Sequence, residues 1–215
     1  DQPNRDAEAK QLRDAINLPR HALPIDYDAS PTIYQRQLLD ALSETSDAAR
    51  RLAFHLSDLG ERIAAADVND AEGGIGGKLV EAYVADVRAL HRLANDTERG
   101  PALIAYLKGV GIRQIAWQQT ESAIDDSAFD RSALQAMITA AGNESSMADR
   151  FVESIDSEAA FALESFQDVP GVPRVMGILE GGFNAKLIEI FERFKTAALD
   201  PNADPPPIDN QFAGS

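Results

Sequence analysis

The strongest constraint on the fold of this chain is a seven-residue hydrophobic repeat within one long predicted helix. Ser30-Pro31 opens that helix, because a serine side chain caps free N–H groups and proline fits the first helical position. Seam-forming residues then follow at alternating steps of four and three: Leu38, Leu42, Thr45, Ala49, Leu52, Leu56, Leu59 and Ile63. Such a repeat keeps one helix face against another helix. It therefore predicts a helix over about 31–66 that packs lengthwise in an all-α fold.

The remainder of the chain is typical of further helices separated by clear breaks. The expected helices cover 4–18, 31–66, 78–94, 101–124, 131–141, a segment after Ser146, and 183–199. Gly142-Asn143 is expected to end the fifth helix in a left-handed conformation. No segment alternates as a strand would. We therefore predict an antiparallel multi-helix bundle or stacked helical hairpins, with about seven helices.

Prolines set the expected limits of the helical body. Pro19, Pro24 and Pro31 favour an extended arm before the long helix. Four prolines after residue 200 favour an extended tail. We expect an N-terminal helix and arm over 1–30, an all-α domain over 31–199 and a tail over 200–215.

Charge narrows the range of partners. The chain carries 35 acidic and 20 basic residues, a net charge of −15, which argues against nucleic acid or an anionic membrane as the main partner. The longest apolar run, Ala102–Leu107, has six residues, against the ~20 that a spanning helix needs. We predict no membrane span. Because that run is apolar on every face, we expect it to be buried centrally.

The start of the chain and the absence of cysteine bear on location. A chain without cysteine suits reducing and oxidising compartments alike and excludes thiol chemistry. The polar start Asp1-Gln2-Pro3, without an initiator methionine, is what removal of an export signal would leave. We expect a periplasmic or otherwise exported protein, with a trimmed cytoplasmic chain as the alternative.

Patterns typical of enzymes are missing. His55 and Asp58 form an H-x-x-D pair, but the sequence has no H-E-x-x-H or E-x-x-H motif. The glycine-rich segment before Lys78 lacks P-loop spacing, and no G-x-S-x-G occurs. His55 is interpreted as a half-buried residue at a helix seam, and His91 flanks a second apolar stripe beside Leu90. We predict a protein that is not an enzyme, with no metal and no cofactor.

The predicted fourth helix has an unusual stripe. Trp117, the only tryptophan, shares this stripe with Gln114 and Glu121 as well as with apolar residues. A buried polar group needs a partner. The stripe is therefore either a cavity wall that meets a ligand, or a seam where Gln114 bonds another helix or the stripe reaches solvent.

Two hypotheses for function follow. The last helix is apolar over more than half its circumference, which suits a core position, a partner or a pocket. The first hypothesis is a non-catalytic carrier that holds an apolar or amphipathic, lipid-like molecule between helices. Its predicted ligand-binding residues are Tyr106, Gln114, Trp117, Glu121, Met176, Phe191 and Phe194. The alternative is a helical interaction or scaffold protein, either a homodimer or an adaptor, without a small-molecule ligand.

Overall fold

The computed structural model confirms the all-α helical bundle. It describes residues 2–18, 31–66, 75–100, 102–126, 128–142, 147–167, 188–193, 195–197 and 199–200. The helices are α1 (Gln2–Ile16), α2 (Pro31–Ala65), α3 (Ile75–Glu98), α4 (Leu103–Ile124), α5 (Arg131–Ala141) and α6 (Met147–Gln167). Residues 188–193 and 195–197 are also helical, and these described ranges contain no strand.

Most helix ends lie within three residues of the sequence expectation, and the ends of α3 and α5 bear on its stop signals. α3 runs past the predicted stop at Asn95-Asp96 to Glu98, whose carboxylate is held by Arg113 of α4, so a tertiary contact extends the helix. Gly142 ends α5 with φ −89° and ψ 0°, and its N–H donates to the carbonyl of Ile138 at 3.0 Å. Gly142 itself is therefore not left-handed, and Asn143, the second residue of the predicted stop, lies outside the described residues.

The chain divides by its contacts into two compact units. One is Asp1–Gly100 with Ile104–Glu144, which holds α1, α2, α3, α5 and nearly all of α4. The other is Pro101–Leu103 with Ser145–Ser215, which holds α6 and the last helical residues. In this second unit Lys195 donates to Asp156 at 2.8 Å. The boundaries predicted at residues 30 and 199 stay predictions, since the arm over 19–30 and the tail after 200 lie outside the described residues.

The repeat of α2 forms the core of the first unit. Leu52, Leu56 and Leu59 are at most 1% exposed, and they belong to one apolar cluster with Val87 and Leu90 of α3. Burying each such side chain contributes about 1.5–3 kcal/mol. α1 lies beside both helices. It is antiparallel to α2, as the pairs Asp6–Arg62 and Glu8–Arg51 show, and parallel to α3, as the pairs Arg13–Asp86 and Asn17–Arg92 show.

α4 crosses α3 at very close range. A Cβ added to Gly109 would lie 2.7 Å from the backbone nitrogen of Glu98 and 2.8 Å from the carbonyl oxygen of Ala94. One turn further, Arg113 donates to both carboxylate oxygens of Glu98, at 2.7 and 2.5 Å, and to Asn95 at 2.9 Å. The Arg113 and Glu98 side chains are 4% and 0% exposed. This crossing therefore combines a glycine contact with a buried ion pair.

The central burial expected for Ala102–Leu107 is wrong. Ala105 and Tyr106 are buried, but Ile104 and Leu107 are exposed, because α4 packs with one face only. Among the described helices, none combines the length and the apolar character that a membrane crossing requires.

Candidate functional site

A groove of about 500 Å³ lies between α1 and α2. Its lining residues are Arg5, Glu8, Ala9 and Leu12 of α1 with Arg51, Phe54, His55, Ser57, Asp58 and Glu61 of α2. On α2 these residues recur every three or four positions, beside the buried leucine seam, so one helix supplies both core and groove wall. The volume is in the range of small-molecule sites, about 300–1,000 Å³.

The groove combines an apolar surface with a charged rim. Phe54 is 69% exposed, which is unusual for so large an aromatic residue, and it faces the groove together with Leu12. Glu8 and Arg51 pair with each other at 2.6 Å across the two helices. Within the described part of the chain, Arg5 and Glu61 have no ion-pair partner. One positive and one negative side chain are thus available to a ligand.

A network of charged side chains lies beneath the groove, and we call it the His55 cluster. Its members are Asp6 and Arg13 of α1, His55, Asp58 and Arg62 of α2, and Asp86 of α3. The His55 Nδ1 lies 2.5 Å from Asp86 Oδ2, and its Nε2 lies 3.0 Å from Asp6 Oδ1. The cluster ties three helices together at a point where Asp86 is fully buried.

The geometry of the His55 cluster fixes the charge of its histidine. Each ring nitrogen faces a carboxylate oxygen, so both must carry a proton to make two hydrogen bonds. The bond to Asp86 raises the pKa of His55 against the opposing effect of burial, and the bond to Asp6 raises it further. Arg62, and then His55, lower the pKa of Asp6. His55 is therefore an imidazolium at weakly acidic pH.

The H-x-x-D pair seen in the sequence does not act as a unit. Asp58 accepts from Arg62 at 3.3 Å, whereas His55 is engaged by Asp6 and Asp86. No group of three or more potential metal ligands is found in the residues that the structure describes. A second cavity, of about 280 Å³, lies on the other side of His55 and is lined by Asp6, Arg13 and Lys78 among others.

The ligand-binding residues predicted on α4 lie apart from this groove. Gln114, Trp117 and Glu121 follow one another along an exposed stripe, and Trp117 is 39% exposed. Tyr106 is buried. Phe191, in the second unit, is partly buried. Met176 and Phe194 lie outside the described residues, and the binding role of the whole set stays a prediction.

Trp117 covers a buried histidine. Its ring meets the ring of His91 edge-on, with centroids 5.7 Å apart. His91 is fully buried, and neither ring nitrogen has a hydrogen-bond partner within the described residues. Burial, followed by the positive charge of Arg113, lowers the pKa of His91 to about 4. His91 is therefore neutral in the folded protein above that pH.

Protonation of His91 in acid should lower the free energy of unfolding. Its folded pKa is below the ordinary 6.5, so its contribution is lost as pH falls from about 6.5 to 4. Between pH 7 and 4.5 we expect a loss of about 2 kcal/mol. His91→Leu should remove this loss, as measured by urea unfolding followed through Trp117 fluorescence. His55 is common to both proteins and cancels in the comparison. An equal loss in both proteins would contradict the assignment.

No family model matches the chain, and neither a curated protein nor a solved structure matches it. The groove was missed in the sequence, although a signal for it was present. Arg51, His55, Asp58 and Arg62 form a polar stripe at steps of four, three and four beside an apolar seam. Such a stripe indicates a helix face that meets a charged partner helix.

Proposed function

We propose that this chain is a non-catalytic binding or carrier protein for an amphipathic, lipid-like small molecule. The observation that carries the proposal is the groove between α1 and α2, where the exposed Phe54 lies among charged side chains. Transport outside the cytoplasm, across a periplasm, is the setting that we propose for it.

The chemistry of the groove favours a neutral or zwitterionic head group. Arg5 and Glu61 offer one charge of each sign, so a zwitterion can pair with both. A purely anionic ligand would be repelled by a chain of net charge −15. Phe54, Leu12 and Ala9 provide the apolar surface for the beginning of a hydrocarbon tail.

The test is binding of lysophosphatidylcholine below its micellar concentration, measured by isothermal titration calorimetry. Phe54→Ser should weaken binding at least about tenfold, because burial of a phenylalanine ring contributes about 1.5–3 kcal/mol. Leu39→Ser is the matched control. Leu39 lies on the same helix, is 55% exposed and does not line the groove. Equal affinities for the two variants would contradict the proposal.

A helical interaction or scaffold role is the second candidate. Exposed apolar side chains on α2 and α4 favour it, among them Ile33 and Leu39 on α2 and Leu107 on α4. Analytical ultracentrifugation over a concentration series separates the two ideas. A dimer that forms without bound lipid favours the interaction role, and a monomer that binds the lipid favours the carrier.

A further inference from the structure

α1, one wall of the groove, is attached mainly through charges. Among its described side chains only Ala9 and Ile16 are buried apolar residues. Its polar contacts are more numerous: Asp6 reaches His55 and Arg62, Arg13 reaches Asp86, and Glu8 reaches Arg51. A helix with so little buried apolar surface depends on these contacts to stay in place.

Protonation of His55 makes the charges of the cluster balance. With an imidazolium, three positive groups (Arg13, His55, Arg62) meet three carboxylates (Asp6, Asp58, Asp86). Loss of the proton leaves one negative charge in excess. Because Asp86 is 0% exposed and His55 5%, water cannot easily offset that charge.

When His55 is neutral, its ring also loses one of its two hydrogen bonds. Its remaining proton stays on Nδ1, because the shorter bond leads to the fully buried Asp86. Nε2 then presents a lone pair to Asp6 Oδ1 at 3.0 Å, and two acceptors repel each other. Asp6 belongs to α1, so the repulsion acts directly on the groove wall.

We propose that α1 is a proton-controlled wall of the ligand groove, which is docked while His55 is an imidazolium and released when His55 becomes neutral. Release removes Arg5, Ala9 and Leu12 from the groove and so releases the ligand. This inference rests on the function proposed for the groove.

The surroundings of His55 support a single controlling proton. From α1, α2 and α3, the charged groups around it are Asp6, Arg13, Arg5, Glu8, Arg51, Asp58, Glu61, Arg62, Lys78 and Asp86. His55 is the only imidazole among these groups, and histidine is the side chain whose ordinary pKa lies close to neutral pH.

The direction of the pH dependence follows from the raised pKa of His55. Its contribution to docking is complete below the ordinary pKa of 6.5 and is lost as pH rises through the higher folded value. The lowered pKa of Asp6 has the opposite effect at the acid end. The contribution of Asp6 is present above its ordinary value of 3.8 and disappears only in stronger acid. α1 is therefore held most firmly at weakly acidic pH.

The position of α1 can be measured in the full chain, which has no cysteine. Nitroxide labels at Ala7→Cys on α1 and Glu44→Cys on α2, both exposed, report their separation by double electron–electron resonance. We expect a narrow distance distribution at pH 5.5 and a longer, broader one at pH 9.

Two variants in the same labelled chain serve as controls. Asp6→Asn should make the distances independent of pH, because an amide can donate a hydrogen bond to Nε2 of the neutral ring. Asp6 is 46% exposed, so this change is not expected to prevent folding. Asp14→Asn makes the same chemical change on the same helix, removes only the exposed pair with Lys10 and should leave the pH response unchanged.

Lysophosphatidylcholine tests the link to the groove, since its own charges stay constant over this range. Its affinity for the unlabelled chain should fall about tenfold from pH 5.5 to pH 9, the effect of one lost charge-assisted hydrogen bond.

Unchanged label distances overturn the inference even if the lipid binds. Changed distances with constant lipid affinity overturn it too, because α1 would then not control the groove. No lipid binding at either pH counts against the proposed function instead, and the distances alone then decide whether His55 controls α1.

Discussion

Arg113→Met should lower the free energy of unfolding by about 3–5 kcal/mol, the largest effect that we expect from a single substitution. The change leaves the Glu98 carboxylate at the crossing of α3 and α4, where that side chain is 0% exposed. Removing one member of a buried ion pair is costly, because the remaining charge loses two strong hydrogen bonds at a place that water does not reach. Urea unfolding at pH 7, followed through Trp117 on the same helix, measures the loss.

Arg50→Met is the matched control for this substitution. Arg50 pairs with Asp47 at 3.3 Å on the surface of α2, where the two side chains are 69% and 56% exposed. An exposed pair of this kind contributes at most about 1 kcal/mol. Replacing Glu98 and Arg113 together by methionine should recover most of the lost stability, since both charges of the buried pair are then removed. Similar losses for Arg50→Met and Arg113→Met would show that the ion pair at the crossing is not buried in solution.

Gly109→Ala should destabilise the protein by about 3 kcal/mol, the second largest effect. The added methyl group would meet backbone atoms of Ala94 and Glu98, which cannot turn aside as a flexible side chain can. α3 and α4 would have to separate, and the adjacent Arg113–Glu98 bonds would lengthen. Thermal unfolding should show a midpoint roughly 6–12 °C lower.

Gly111→Ala gives the opposite result on the same helix. A Cβ at Gly111 meets nothing within 4 Å, so alanine gains helix propensity without a clash. The gain should be about 0.5–1 kcal/mol. A shift of the unfolding midpoint in the same direction for both glycine variants would contradict the close approach of α4 to α3 at Gly109.

Local patterns determined much of the fold in advance. The leucine repeat on α2 predicted the length and the buried face of that helix, because an apolar stripe along a helix has to be covered by another part of the protein. The crossing at Gly109 could not be predicted from the sequence. A glycine within a helix is found both where the helix is locally unstable and where another helix approaches its backbone closely. The partners of His55 were hidden for a different reason. Asp6 and Asp86 lie 49 and 31 residues away in the chain, and no local rule connects such distant residues.

The candidate site was harder to predict than the fold. Gln114 and Glu121 were chosen because polar residues interrupted an apolar stripe, yet both are exposed. α4 buries the face that carries Ala105, Gly109 and Ala116, whose small size allows close packing. The hydrophobic pattern of the sequence predicted that the large apolar residues of α4 would be buried. In the structure Ile104 and Leu107 are exposed, and small residues lie on the buried face. That choice depends on the partner helix and cannot be derived from α4 alone.

The attachment of α1 also has a consequence for biosynthesis. The ribosome makes α1 before α3, since the partners Asp86 and Arg92 follow 73 and 75 residues after Arg13 and Asn17. At about 5–20 residues per second, α1 must wait roughly 4–15 s before its binding surface on α3 exists. During that interval an apolar helix would tend to aggregate or to bind chaperones, whereas a highly charged helix stays hydrated. α1 has few apolar contacts and is therefore held loosely in the folded protein. For the same reason it has little tendency to aggregate before α3 has been synthesised.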